Sequence, residues 1–163
     1  MIKATALTEI YRELPFFRGL RYEHLEVLQT LAHEVRFDRD QIIFREGDES
    51  SFFYIILSGR VSLEVTALGR TLRVSTVSEG EEFGWSSLQP MHGKQFQARA
   101  LESLKALAFD GARLREACDE DPVFGYALMK RLFGVVSDRL RAMRVQLLDI
   151  YNPDVPASAA GAK

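Results

Sequence analysis

Few residues of this chain have the type and spacing that chemistry needs. The histidines are His24, His33 and His92, and no two are spaced to share a metal from one strand or helix. A metal needs several ligands converging on one point, so no metal site is expected. Cys118 is the sole cysteine. It can form neither an internal disulfide nor a cysteine-rich zinc site. Nothing beside it in sequence activates a thiolate, so it reads as a packing residue. No nucleophile–base pair, P-loop or dinucleotide fingerprint is present. The expectation is a protein that is not an enzyme, with no catalytic residue to assign.

Charge narrows the partners. The 163 residues carry a formal net charge of -2, with both signs interleaved along the chain. A nucleic-acid surface usually shows a basic excess, so direct DNA binding is not expected. Residues 1–12 have no apolar core of signal-peptide length, and no run approaches the roughly 18 apolar residues of a membrane span. With one cysteine, a cytoplasmic, reduced setting follows as the default.

Three zones must position whatever the chain holds. Residues 7–32 show helical spacing, with Leu20, Leu25, Leu28 and Leu31 near one face, and Pro15 and Gly19 cut it into two or three short helices. Residues 33–110 switch to short β-branched and aromatic runs at 41–44, 52–57, 61–66, 71–77, 82–85, 96–101 and 106–109. Turn residues separate them: Gly47-Asp48, Ser58-Gly59, Leu68-Gly69-Arg70 and Gly80. Many short strands at such spacing predict a mainly β fold, a jelly-roll-like β-roll of about eight strands with flanking helices. Within it Val61, Leu63 and Val65 point one way, Ser62 and Glu64 the other. Residues 111–151 return to helix, and 152–163, rich in Ala, Pro, Ser and Gly, read as a disordered tail. The domain is thus 1–151.

Asp119-Glu120-Asp121-Pro122 reads as a helix start, and the pattern then runs unbroken to Tyr151. That is roughly 40 Å of helix, longer than a domain of this size needs to cover its own core. Leu132, Val136, Leu140, Met143, Leu147 and Ile150 follow a near-heptad seam with one irregular step, as a homodimer interface would. Phe124, Leu128, Phe133 and Val135 lie off the seam and would cover the roll. The alternative is a helix packed wholly on its own domain.

The segment Ile42-Ile43-Phe44-Arg45-Glu46-Gly47-Asp48, followed by Phe53-Tyr54-Ile55-Ile56-Leu57-Ser58-Gly59-Arg60-Val61, resembles the glycine-punctuated core of the cyclic nucleotide-binding domain. That superfamily includes catabolite activator proteins and the regulatory subunits of cyclic-AMP-dependent kinase. Leu14-Pro15-Phe16-Phe17-Arg18-Gly19-Leu20 resembles its helical lead-in. Gly80-Glu81-Glu82-Phe83-Gly84 resembles the approach to its phosphate-binding cassette. Gly47 and Gly59 would supply the positive φ angles that close the hairpins.

The cassette departs from the family pattern. Members that bind cyclic nucleotides have a Glu for the ribose 2′-hydroxyl and an Arg for the cyclic phosphate. Here the Glu position is Trp85, the Arg position is Lys94, and the neighbouring Ser/Thr position is Gln95. Losing a buried partner for the 2′-hydroxyl costs about 1–3 kcal/mol, and Lys94 keeps charge without the bidentate fork. Ser86 and Ser87 fall where a short helix would offer amides and hydroxyls to an anion. The resemblance thus implies a ligand site of Phe83, Gly84, Trp85, Ser86, Ser87, Leu88, Lys94 and Gln95, with Arg139 or Met143 reaching it from the long helix.

Three readings stay open: a non-standard anionic ligand with a flat apolar part, ordinary cyclic AMP or GMP through altered contacts, or a ligand-free dimerisation and docking module whose pocket Trp85 fills. His92, near the cassette, is either a haem ligand or an exposed loop residue. A DNA-binding domain of the family would need on the order of 60 more residues, and twelve follow Tyr151. A stand-alone sensor signalling to an unknown protein partner is expected, the alternative being a piece of a longer regulator.

Overall fold

Short apolar runs, broken by residues that accept left-handed backbone, fold into an antiparallel roll in the computed structural model, which describes residues 11, 13–89 and 93–151. Among these, eight strands form two four-stranded sheets. The first holds β1 (Ala32–Phe37), β8 (Leu104–Asp110), β3 (Phe52–Ser58) and β6 (Glu82–Phe83), in that order. The second holds β2 (Ile42–Phe44), β7 (Gln97–Ala100), β4 (Val61–Ala67) and β5 (Arg70–Val77). Pairings between strands remote in sequence, such as Ala32 with Phe109 and Val61 with Ala100, set the roll's topology. The mainly β architecture with flanking helices is as expected.

Gly47 and Gly59 take φ angles of +85° and +95°. At Gly59 the requirement is double, because a Cβ there would stand 2.7 Å from the Ser103 carbonyl oxygen. Between the sheets lies a core of Ile56, Val61, Leu63, Val77 and Leu104, with Tyr54 and Phe83 among them. Ala98, Ala100 and Ala108 face the same space, and their small side chains leave room for the two rings. Each large apolar side chain buried here contributes about 1.5–3 kcal/mol.

Two local expectations need correction. β1 has no counterpart among the anticipated strands, because its outward residues are charged: Glu34 pairs with Arg36 at 3.0 Å and with Lys105 at 3.0 Å. The strand anticipated at 82–85 stops at Phe83, where the positive φ of Gly84 turns the chain. Ser62 and Glu64, which alternate with Val61, Leu63 and Val65, are buried although polar. Glu64 accepts from Ser62 Oγ at 2.9 Å, from Gln97 Nε2 at 2.8 Å and from Arg99 Nε at 3.3 Å. Burial disfavours its charge, but these donors outweigh it and hold the carboxyl below its ordinary range.

The helices follow the capping residues. A 3-10 turn at Pro15–Phe17 precedes α1 (Tyr22–Leu31). Asp110 caps α2 (Gly111–Glu120) by accepting from the Ala112 and Arg113 amides. Asp121 caps α3 (Pro122–Tyr151) by accepting from Val123 N at 3.0 Å and Phe124 N at 3.1 Å. Such a cap contributes about 1 kcal/mol.

The chain comprises two units, Met1–Tyr126, which holds the roll, and Ala127–Lys163. Along α3 the exposed apolar residues depart from the anticipated seam. Leu132 is buried, whereas Phe133, expected to cover the roll, is 75% exposed. Sequence spacing cannot decide between apolar neighbours. With Phe133 in place of Leu132 the row becomes Tyr126, Met129, Phe133, Val136, Leu140, Met143, Leu147 and Ile150, a heptad alternation without irregular steps. Met143 in this row is half-buried and the other seven are exposed. No described helix is long and apolar enough to cross a membrane. Residues 152–163 and His92 lie outside the described residues.

Candidate functional site

The site is built where β6 ends. Gly84 takes φ +80° and leads into a 3-10 turn, Trp85–Leu88. A Cβ on Gly84 would stand 2.8 Å from the Phe52 carbonyl oxygen and 3.1 Å from Lys94 Nζ. Glycine is needed here for backbone angle and for space together. Ser86 and Ser87 are buried, Trp85 and Leu88 half-buried.

Lys94 arrives from the connection to β7. Its backbone is pinned to the β2–β3 turn, donating to Asp48 O at 2.9 Å and accepting from Gly47 N at 2.8 Å. The side chain is only 4% exposed. Its ammonium donates to Phe52 O at 2.9 Å and to Gly84 O at 3.2 Å, and lies 4.4 Å from the centre of the Phe44 ring. All three partners are formally neutral, and no described carboxylate forms an ion pair with it. Burial pushes its pKa down to about 8. The positive charge is held where water would otherwise solvate it, without a counter-charge.

Aromatic rings fill the roll beside this amine. Phe83, fully buried, stacks on Tyr54 with centroids 4.8 Å apart and an interplanar angle of 11°. Phe44 stacks on Phe83 at 6.0 Å. Phe37 and Phe52 meet Tyr54 at 6.2 Å each. Burial also pushes the Tyr54 hydroxyl up to about 12. The half-buried indole of Trp85 stands at the first position of the turn.

Of the residues anticipated for the site, the fold brings together Phe83, Gly84, Trp85, Ser86, Ser87, Leu88 and Lys94. Phe83 is a core ring. Gln95 is exposed and donates to its own loop at Gly93 O, 3.2 Å. Arg139 and Met143 are half-buried on α3 in the second unit. Sequence reasoning passed over Tyr54 and Phe44 as site residues, although the i, i+2 spacing of Phe52 and Tyr54 already puts two rings on one strand face. It also passed over Ser50, whose Oγ lies 2.7 Å from Ser86 Oγ; no sequence signal pairs residues 36 apart.

Other features carry no chemistry of this kind. Burial, then Asp119 and Asp121, push the Cys118 thiol up to about 11, away from thiolate reactivity. A cleft of about 780 Å³ is lined by Tyr11, Leu14, Leu57, Lys105 and Leu107 among others, and no residue of the turn or of the Lys94 loop lines it.

Two four-stranded antiparallel sheets with a glycine-led turn at the end of β6 define a jelly-roll domain. The chain belongs to the cyclic nucleotide-binding domain family, whose model matches residues 34–121. It is 26% identical over 155 residues to a CRP-like cAMP-activated global transcriptional regulator of Mycobacterium tuberculosis, covering 94% of this chain and 67% of that one. It is similar in structure to the catabolite activator protein of Thermus thermophilus, with a TM-score of 0.69 and 25% identity over 84% of this chain and 63% of that one. A cyclic nucleotide-binding domain of Methylobacillus flagellatus shares the fold at a TM-score of 0.76 and 18% identity, covering 95% of this chain and 85% of that one.

Proposed function

We propose that this chain is a regulatory sensor of a small anionic ligand with a flat apolar part, bound between the Trp85–Leu88 turn, Lys94 and the ring stack. The single observation that carries this reading is the Lys94 ammonium, buried beside the turn without a counter-charge. An anion supplying that charge gains more there than in water, because the surroundings screen it less. The rings of Phe44, Tyr54 and Phe83 offer faces for a planar group. Trp85 stands where relatives that bind cyclic nucleotides carry the 2′-hydroxyl acceptor, which argues for a ligand other than an ordinary cyclic nucleotide.

The sensor acts in the cytoplasm as a homodimer through the α3 row from Tyr126 to Ile150. It signals by a population shift to a protein partner, without catalysis and without holding DNA itself. A second reading has its own observation: the Tyr54–Phe83 stack is tight, as in a closed roll serving as a ligand-free docking module.

A thermal-shift screen of cyclic mononucleotides, cyclic dinucleotides, haem and aromatic carboxylates and phosphates separates the two. A ligand at 100 times its Kd stabilises the fold by about 2.7 kcal/mol. The sensor reading expects one compound to do this in wild type and to lose most of the effect in Lys94→Met. Absence of any shift across the screen supports the closed module.

A further inference from the structure

Ser87, the fully buried residue of the turn, packs against α2. Gly111, the first residue of α2, makes this possible. A Cβ on Gly111 would stand 2.7 Å from Ser87 Cβ and 2.9 Å from its carbonyl carbon, with the carbonyl oxygen nearer still. One helical turn on, the Arg115 guanidinium donates to that same Ser87 carbonyl oxygen. The adjoining residues are fastened too: Ser86 Oγ lies 2.7 Å from Ser50 Oγ, and Gly111 N donates to Ser51 O at 2.8 Å.

We propose that Gly111 and Arg115 are positioning residues for the Trp85–Leu88 turn: Gly111 lets the Ser87 backbone lie directly on α2, and Arg115 holds its carbonyl there. The turn has little freedom to shift alone. Close-packed backbone does not deform gradually, so a displacement of Ser87 displaces the start of α2. A charge-assisted hydrogen bond from Arg115 adds direction to that contact. The positioning role stands on the contacts alone; its bearing on a ligand rests on the turn being the ligand's seat, as proposed above.

Trp85 is the only tryptophan, so its fluorescence reports on the turn without a label. The test compares emission and acrylamide quenching in wild type, Arg115→Ala, Arg115→Lys and Gly111→Ala, with circular dichroism to establish folding. Arg115→Ala is expected to raise the quenching constant about two-fold and shift emission to the red, as a loosened local element would. Arg115→Lys should restore part of the change, since it keeps charge without the planar fork. A folded Arg115→Ala with wild-type emission and quenching would overturn the proposal.

A second measurement covers the case in which that variant does not fold. Ser86→Ala removes the Ser50 contact, and hydrogen exchange at residues 111–120 is then read. Faster exchange there supports the coupling, and wild-type exchange refutes it. Neither measurement needs a ligand. An empty screen with an altered Trp85 signal leaves the positioning role intact and removes the sensor. A ligand found in the screen, with an unaltered signal, does the reverse.

Discussion

Replacing Lys94 by methionine keeps an unbranched side chain one atom shorter and removes its charge, and the structure gives the expected size of the effect. The pKa falls from an ordinary 10.5 to about 8 on folding. That difference of about 2.5, at 1.36 kcal/mol per unit, makes the charged amine about 3 kcal/mol less favourable in the fold than in the unfolded chain. The sign follows from proton counting. Between pH 8 and 10.5 the unfolded chain binds more protons at this group than the folded one, so stability rises with pH through that window. Below it the full penalty applies. Methionine relieves the penalty but removes the ammonium donor from the Phe52 carbonyl, at about 1 kcal/mol, while the Gly84 carbonyl still accepts from Ser87 N at 3.1 Å. The net expectation at pH 7 is a gain of about 2 kcal/mol, or about 6 °C in Tm for a domain of this size. Urea unfolding of both proteins across the alkaline range provides the assay, and the difference between the two curves cancels every other titrating group. Suppose instead that the variant is less stable than wild type by a margin that does not change with pH. The ammonium would then be a net stabilising clasp, and the case for a missing counter-anion would fail.

Further expectations concern the other parts of the molecule. Trp85→Glu supplies a carboxylate for a 2′-hydroxyl, so cyclic AMP should bind it about ten-fold more tightly than wild type by calorimetry, as one buried hydrogen bond allows. Leu140→Glu puts a charge in the middle of the exposed α3 row; on the proposed homodimer, light scattering should show a dimer for wild type and a monomer for the variant, while the circular dichroism of the roll is unchanged. Glu64→Gln removes a carboxylate whose pKa is lowered in the fold. Wild type should lose that contribution as pH falls below about 4.5 and through the lowered value. The acid limb of its stability curve should therefore be steeper than the variant's in pH-dependent urea unfolding.

Much of the fold was legible because it depends on local rules. Short β-branched runs between turn residues gave the strand positions to within one or two residues at most ends. The glycines at 47 and 59 marked positive φ, and Asp121-Pro122 marked the start of α3. The family resemblance carried the turn at Gly84 and the position of Lys94. The failures share a cause. β1 escaped notice because its outward residues are charged and find their partners only across the sheet. The burial of Glu64 was not legible because Gln97 and Arg99, its hydrogen-bond donors, lie more than thirty residues away. Leu132 stood in for Phe133 because the two are neighbours in sequence, and burial alone distinguishes them.

The sequence by itself thus determined seven of the eight strands, the start of α3, the turns and the change of residue at the two cassette positions, since each depends on residue type and near spacing. Only the tertiary structure decided that Phe44, Tyr54 and Phe83 fill the roll and that the Lys94 amine is buried on two carbonyls. It alone set the turn's central residue on the first turn of α2. These are meetings of segments brought together by chain topology, and desolvation, packing and charge compensation have no value until those segments meet.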